Sequence, residues 1–472
     1  LVVVGYRDFV PYPVQPMVAW NYLFSGFYLL DGFFVEARFK LGQYPMIQSA
    51  VILSTGDEIT SGKVVDTNAN YLCDKLSEIG IDLVAVITVG DVPDRLQWAW
   101  RTAVGMGDIV ISTGGIGPTA DDLTTETVAR VAGAKLVRDE ATVEHMRRLF
   151  SSIGRPMPDN NLKQAFFPEA ATIIQNPLGT APGFRMPVTI GGHTAHLIVL
   201  PGVPREMKPM MENTVIPWIS ANRGTDKVYA VRVFQTFGMS ESALDEAVAG
   251  LIRPDEAKVS FRASFPQISL KIRVEGQPGE VDRRVEELSG RVREKISQFV
   301  YAEGDTSMEE VVGRLFIEKK FTLAVAESCT GGLIGHRITS VPGCSQYFKG
   351  DLVTYSNDVK SGVLGVSDET LKAHGAVSEE CVREMAAGVR QRTGASVSIA
   401  TSGIAGPDGG TPDKPVGTVC IALSAGDRSL TRRYQFRGTR DWVKLITSQV
   451  ALDWLRRYAL GLPIADSTPL RR

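Results

Sequence analysis

The chain has 472 residues, 44% hydrophobic and 22% charged, with a net charge of −2. That length exceeds what one ordinary core organises, so two or three domains are expected, and the charge balance gives no electrostatic basis for nucleic acid as a main partner. The five cysteines form no CxxC pair and there are five histidines, which excludes a disulfide framework and a zinc cluster, suits a reducing cytoplasm, and leaves hard cations on carboxylates as the metal chemistry to consider.

The first 45 residues stand apart. "PMVAWNYLFSGFYLLDGFF" has the length of a membrane span, but Asn21, Ser25 and Asp31 interrupt it and Arg7 is the only positive charge before it. Residues 1–45 therefore read as a dispensable leader or an over-extended start, with the working protein beginning near Met46 and no membrane association expected. From Met46 to Trp218 apolar strands alternate with amphipathic helices. "AVILSTG", "IDLVAVITVGD" and "DIVISTGG" read as strands, "NANYLCDKLSEIG" and "PDRLQWAWRTAVGMG" as helices, and "DDLTTETVARVAG" as a helix opened by carboxylates. This is the βαβ rhythm of a parallel sheet covered on both faces. Between about 225 and 303 two period-two strands around "FPQ" and two helices give a small βαββα unit. From Thr306 helix and strand alternate again, closing on "RDWVKLITSQVALDWLRRYAL" as an amphipathic helix.

Two strand-end turns in the first unit carry chemistry. "STGDEITSG" sets Asp57 and Glu58 after a glycine, and "STGGIGPTADDLT" sets Gly114, Gly115, Gly117 and Thr119 before Asp121 and Asp122. Glycines after a buried strand let backbone N–H groups approach an anion, and ligands of open α/β sheets bind at the carboxyl ends of strands. Carboxylates there would repel a phosphate unless a divalent cation bridges them.

In the C-terminal unit "LAVAESCTGG" places Ser328, Cys329 and Thr330 where a strand gives way to a helix. The N–H groups of Thr330, Gly331 and Gly332 are candidates for holding an oxyanion or phosphate. A serine needs a base. His336, His374 and Lys360 (from "VTYSNDVK", with Tyr355) are the candidates on residue type, and Cys329 is the rival nucleophile. "TSGIAGPDGG" adds Ser402, Gly403 and Gly406 as a glycine-dense loop after a buried strand, and "FRGTRDWV" offers Arg437 and Arg440 as a phosphate clamp.

These motifs resemble a known family. "GDEITSG" with "GGIGPTADDLT" resembles the molybdopterin-binding domain, and "LPGVPREM", with Glu206, is similar to its form in the CinA family (competence/damage-inducible protein A). The resemblance implies metal-dependent hydrolysis of ADP-ribose. Asp57, Glu58, Asp121, Asp122 and Glu206 would hold a divalent cation (Mg, Mn or Co), with substrate on Gly114, Gly115, Gly117 and Thr119. The βαββα unit resembles the family's KH-type domain but has "FGMSES" and no GxxG loop, so RNA binding through such a loop is not expected. "AESCTGG", "GDLVTYSNDVKSGVLGV", "HGAVSEE" and "SGIAGPDGGTPDKPVGTV" resemble the family's nicotinamide mononucleotide amidohydrolase domain. That implies hydrolysis of the carboxamide of nicotinamide mononucleotide, with Ser328 as nucleophile, Lys360 as base, Tyr355 supporting the pair and no cofactor. Thr330, Gly331, Gly332, Ser402, Gly403, Gly406 and Arg440 would bind substrate. Ser402 stands where the family usually has threonine, and Asp351 where glycine is common.

The expected organisation is α/β: two parallel-type α/β domains joined by a small α+β (βαββα) domain. The expected limits are 1–45 for the leader, 46–222, 223–304 and 305–463 for the three domains, and 464–472 for a tail. The resemblance also implies a cytoplasmic homodimer. Two other readings share these residues: a pterin-binding or adenylyl-transferring N-terminal domain, and a non-enzymatic competence or recombination accessory.

Overall fold

The computed structural model describes residues 46–223, 225 and 227–464, together with the strands Gly26–Leu30 and Phe33–Ala37, which pair antiparallel. The rest of the expected leader, and residues 465–472 of the expected tail, lie outside the described residues.

The chain forms two compact units, the first ending at Asp66 and resuming over Val84–Met210, the second made of Thr67–Leu83 and the chain from Met211 onward. In the first lies a six-stranded sheet in the order Asp82–Val89, Ser49–Thr55, Ile109–Thr113, His193–Leu200, Gly183–Ile190 and Thr172–Ile174. Ser49–Thr55 and His193–Leu200 run parallel to Ile109–Thr113, and the last two strands are antiparallel. Its central strands are rich in apolar residues because both faces are covered, and Ile109–Thr113 is buried throughout.

The second unit contains two sheets. One is the antiparallel set Lys258–Ser264, Gln267–Gly276, Val228–Thr236 and Val300–Glu303, so the expected βαββα pattern gains a closing strand. The other runs Phe348–Val353, Leu323–Glu327, Val397–Gly403, Thr418–Ala425 and Arg428–Gln435, with the first three parallel and the last two antiparallel. The α/β class is as expected, and both large sheets are mixed.

Alternation along the C-terminal strands decides which helix covers which face. Val325, Ile399, Ile421 and Leu423 point to the helices Met308–Glu318 and Arg440–Leu460. Ala324, Ala326, Ala400 and Ala422 point to Glu379–Thr393, where small residues let the helix lie close. Phe237 and Tyr301 join the first of these cores, so the core runs across the expected boundary at 304. Arg440–Leu460 is not amphipathic. From Ile446 to Arg457 every residue is buried, and Asp453 answers the two buried arginines with bonds to Arg456 Nε (2.8 Å) and Arg457 Nε (2.7 Å). Among the described residues no helix is long and apolar enough to cross a membrane.

Candidate active site

The strand Leu323–Glu327 ends at a tight turn, and the following helix, Leu333–Thr339, starts later than "CTGG" suggested. Ser328 and Cys329 stand in that turn. Lys360 comes from the helix Asn357–Leu364 and is 1% exposed. Its Nζ donates to Ser328 Oγ at 3.0 Å, to the Thr354 carbonyl at 2.9 Å and to the Tyr355 carbonyl at 3.0 Å. Burial lowers the affinity of Lys360 for its proton. Among the described residues no carboxylate forms an ion pair with Lys360 to offset that loss. A neutral amine keeps two N–H bonds for the two carbonyls and turns its lone pair to the serine hydroxyl.

These groups line a cavity of about 190 Å³ together with Ser402, Gly403 and Arg440. Arg440 spans its edge, donating to the Gly406 carbonyl (2.8 Å) and to the Tyr355 hydroxyl (3.0 Å). Tyr355 is 61% exposed, so it meets Lys360 through its carbonyl and Arg440 through its phenol. Cys329 also lines the cavity, but burial, reinforced by Glu327, pushes its thiol up to about 12, away from thiolate chemistry. His336 and His374 are exposed and do not line the cavity, and neither does Arg437.

Two expected N–H contributions differ, those of Gly331 and Gly332. The Gly331 N–H bonds to the Ser328 carbonyl, the Gly332 N–H bonds to Glu327 Oε2, and the buried Thr330 hydroxyl pairs with Thr401. These groups shape the turn and do not face the cavity. Ser402 lines it, with its hydroxyl bonded to the Ala376 carbonyl at 2.7 Å. Glu327 was missed from sequence. Its signal was an acidic residue closing an apolar strand immediately before the turn.

In the first unit, Gly114 at φ 102° brings the second turn against the first, where a Cβ would sit 2.6 Å from the Thr55 carbonyl. Asp57 and Asp91 bond reciprocally: the Asp57 N–H meets Asp91 Oδ2 (3.0 Å) and the Asp91 N–H meets Asp57 Oδ1 (3.1 Å). Asp91, another missed residue, has its carboxyl pushed up by burial and by the charges of Asp57, Glu58 and Asp121. Two of the other expected ligands, Asp122 and Glu206, are engaged elsewhere. Asp122 turns back to the Thr119 N–H and hydroxyl (2.8 and 2.5 Å), and Glu206 is bound by Asn176 Nδ2 (2.8 Å). Asp121 and Asp122 also precede the helix Thr124–Ala132 and do not open it. Among the described residues no three His, Cys, Asp or Glu side chains gather as a metal-ligand set, so the five expected ligands do not fit one as folded. Gly117 and Asp122 instead line a cavity of about 260 Å³ with Ile116, Glu126, Lys163 and Phe166, while Gly115 packs on Thr124.

Comparison with known proteins matches three domains in succession along the chain. A probable molybdopterin-binding domain matches residues 51–221, a damage-inducible protein CinA KH domain 231–302, and the CinA C-terminal domain 305–459. A CinA-like protein of Geotalea uraniireducens is 41% identical over 88% of this chain and 99% of its own. A competence-damage inducible protein of Thermoanaerobacter pseudethanolicus, itself so named only putatively, is 40% identical over the same shares. A crystal structure of a competence-damaged protein (CinA) superfamily protein from Klebsiella pneumoniae, 34% identical, covers 33% of this chain and 99% of that one at a TM-score of 0.32. With full-length relatives at this identity and all three domains in order, the chain belongs to the CinA family.

Proposed function

We propose that the C-terminal site hydrolyses the carboxamide of nicotinamide mononucleotide to nicotinic acid mononucleotide and ammonia. The observation that carries this reading is the buried Lys360 Nζ, 3.0 Å from Ser328 Oγ, with its other two bonds on carbonyls. Lys360, neutral, takes the hydroxyl proton as Ser328 Oγ attacks the amide carbon. The same proton passes to the departing nitrogen, and ammonia leaves an acyl-serine. Water, giving a proton to Lys360, then attacks the ester, and Lys360 returns that proton to the departing Ser328 Oγ, so the sum is amide plus water to carboxylate plus ammonium. With the Gly331 and Gly332 N–H groups engaged, the oxyanion is assigned to the Thr330 N–H, the remaining one of the three expected donors. Arg440 at the cavity edge supplies a cation for the substrate's phosphate.

Ser328→Ala and Lys360→Ala are each expected to lower ammonia release at least about a thousandfold without loss of fold. Because the base must be neutral, kcat/KM should rise with pH through a pKa below that of an ordinary lysine. A limb at the unperturbed lysine value would argue against Lys360 as base.

For the first unit, a second reading is that its glycine turn takes the diphosphate of ADP-ribose, with a divalent cation offsetting the charges of Asp57, Glu58 and Asp121 that add to burial in pushing Asp91 up. No step is assigned to the cation, because its ligands are not assembled. Titration with Mg, Mn or Co alone should raise the melting temperature of the wild type and not of Asp91→Asn, and equal shifts would remove the reading.

A further inference from the structure

Glu327 closes an apolar strand, is fully buried, and immediately precedes Ser328. Its Oε2 accepts the Gly332 N–H and its Oε1 the Gly335 N–H, each at 2.9 Å, so one side chain ties both ends of the nucleophile turn. On the neighbouring parallel strand Asp351 stands opposite Val325. Its side chain occupies the room left by Gly335, where a Cβ would lie 2.5 Å from Asp351 Oδ2. Glu327 Oε1 and Asp351 Oδ2 thus converge on Gly335, and Asp351 Oδ1 is buried with no hydrogen-bond partner among the described residues. Two carboxylates are acceptors only, so a bond between the pair requires a proton on one of them.

We propose that Glu327 and Asp351 form a positioning pair that shares one proton and, by holding it, keeps the turn bearing Ser328 in shape. The activity consequence rests on the amidase reading, whereas the consequence for folding does not. Burial and the Glu327 charge push the Asp351 carboxyl up to about 8. Above that pH two like charges face each other inside the fold.

Among the described residues no neighbouring cation answers them. On the Asp351 strand Lys349 is exposed, and the strand Val397–Gly403 carries no charge. On the covering helix His336 is exposed and Arg337 is engaged by Glu309, Ser448 and Gln449. In the turn Cys329 is a buried thiol, and Lys360 is spent on Ser328 and two carbonyls.

The sign follows from linkage. An acid whose folded pKa is raised contributes stability that is full below its unfolded value and is lost as pH rises through the folded one. The test measures melting temperature and ammonia release from nicotinamide mononucleotide for the full-length wild type and for Asp351→Asn and Asp351→Gly. Glu327→Gln is assayed beside them, all from about pH 6 to about pH 9. The wild type should lose melting temperature through about pH 8, while both Asp351 variants, having no carboxyl there to ionise, run flatter. The activity of Asp351→Asn relative to wild type should rise about tenfold between pH 7 and pH 9, one pKa unit past the midpoint. Glu327→Gln should lower kcat more than it raises KM. Melting profiles of wild type and both Asp351 variants that run parallel would overturn the pair. Absence of turnover in every protein would count against the amidase reading alone, and the melting arm would still decide the pair.

Discussion

A buried lysine with no carboxylate beside it is expensive unless its charge is not needed, and Lys360 is such a residue. Its three hydrogen-bond partners leave the serine hydroxyl as the one group with a proton to give. From sequence, Lys360 was one of three possible bases and Ser328 one of two nucleophiles. Which pair met was decided by a turn and a helix 32 residues apart closing on each other, which residue type does not reveal. Cys329 illustrates the same limit: next to Ser328 in sequence, it is held in a medium that suppresses its thiolate. Cys329→Ala should therefore leave ammonia release nearly unchanged, whereas a loss as deep as that of Ser328→Ala would make the thiol the nucleophile. Arg440→Ala removes the bonds to Gly406 and Tyr355 and should raise KM about tenfold with kcat little altered, the cost of one lost charged hydrogen bond. An equal fall in kcat alone would place Arg440 in transition-state binding. The acidic residues of the first unit were legible as a cluster of charge but not as a geometry, because Thr119 and Asn176 claim Asp122 and Glu206 through contacts no spacing rule anticipates.

At the scale of elements, the strands were the readable part. Runs that begin as continuous apolar stretches, "LAVA" and "IVI", are expected to be buried on both faces, and they are. Their ends were less readable: glycines after Ser328 suggested an early helix, but Glu327 takes the N–H groups that such a helix start would offer. The closing helix departs most. Its regularly spaced polar residues suggested a solvated face, yet helices and strands on both sides enclose it and the polar groups pair with one another. Arg337 reaches Ser448 and Gln449, Arg457 caps the Gln298 and Pro463 carbonyls, and Asp453 binds both arginines. Asp453→Ala would leave two buried guanidinium groups without their counter-charge and should cost about 3–5 kcal/mol of stability. Denaturant melts that show less than about 1 kcal/mol would mean water reaches the site.

At the scale of the whole molecule, the α/β class was carried by the alternation of apolar strands with helices, and the family by motifs at strand ends, where chemistry restricts residue choice. Sheet direction was not: hairpins such as Thr418–Ala425 with Arg428–Gln435 turn both large sheets mixed, and a strand reads alike whether its neighbour runs with it or against it. The division into two units was likewise hidden, since Phe237 and Tyr301 join a core built mostly from residues after 307. The proposed amide hydrolysis needs only side chains of the second unit. The most direct test is ammonia release from nicotinamide mononucleotide by wild type, Ser328→Ala and Lys360→Ala, with and without a metal chelator. Wild type should turn over with the chelator present, and both variants should lose that turnover. A folded wild type that releases no ammonia, or a Lys360→Ala protein that releases it at the wild-type rate, would contradict the proposed hydrolysis.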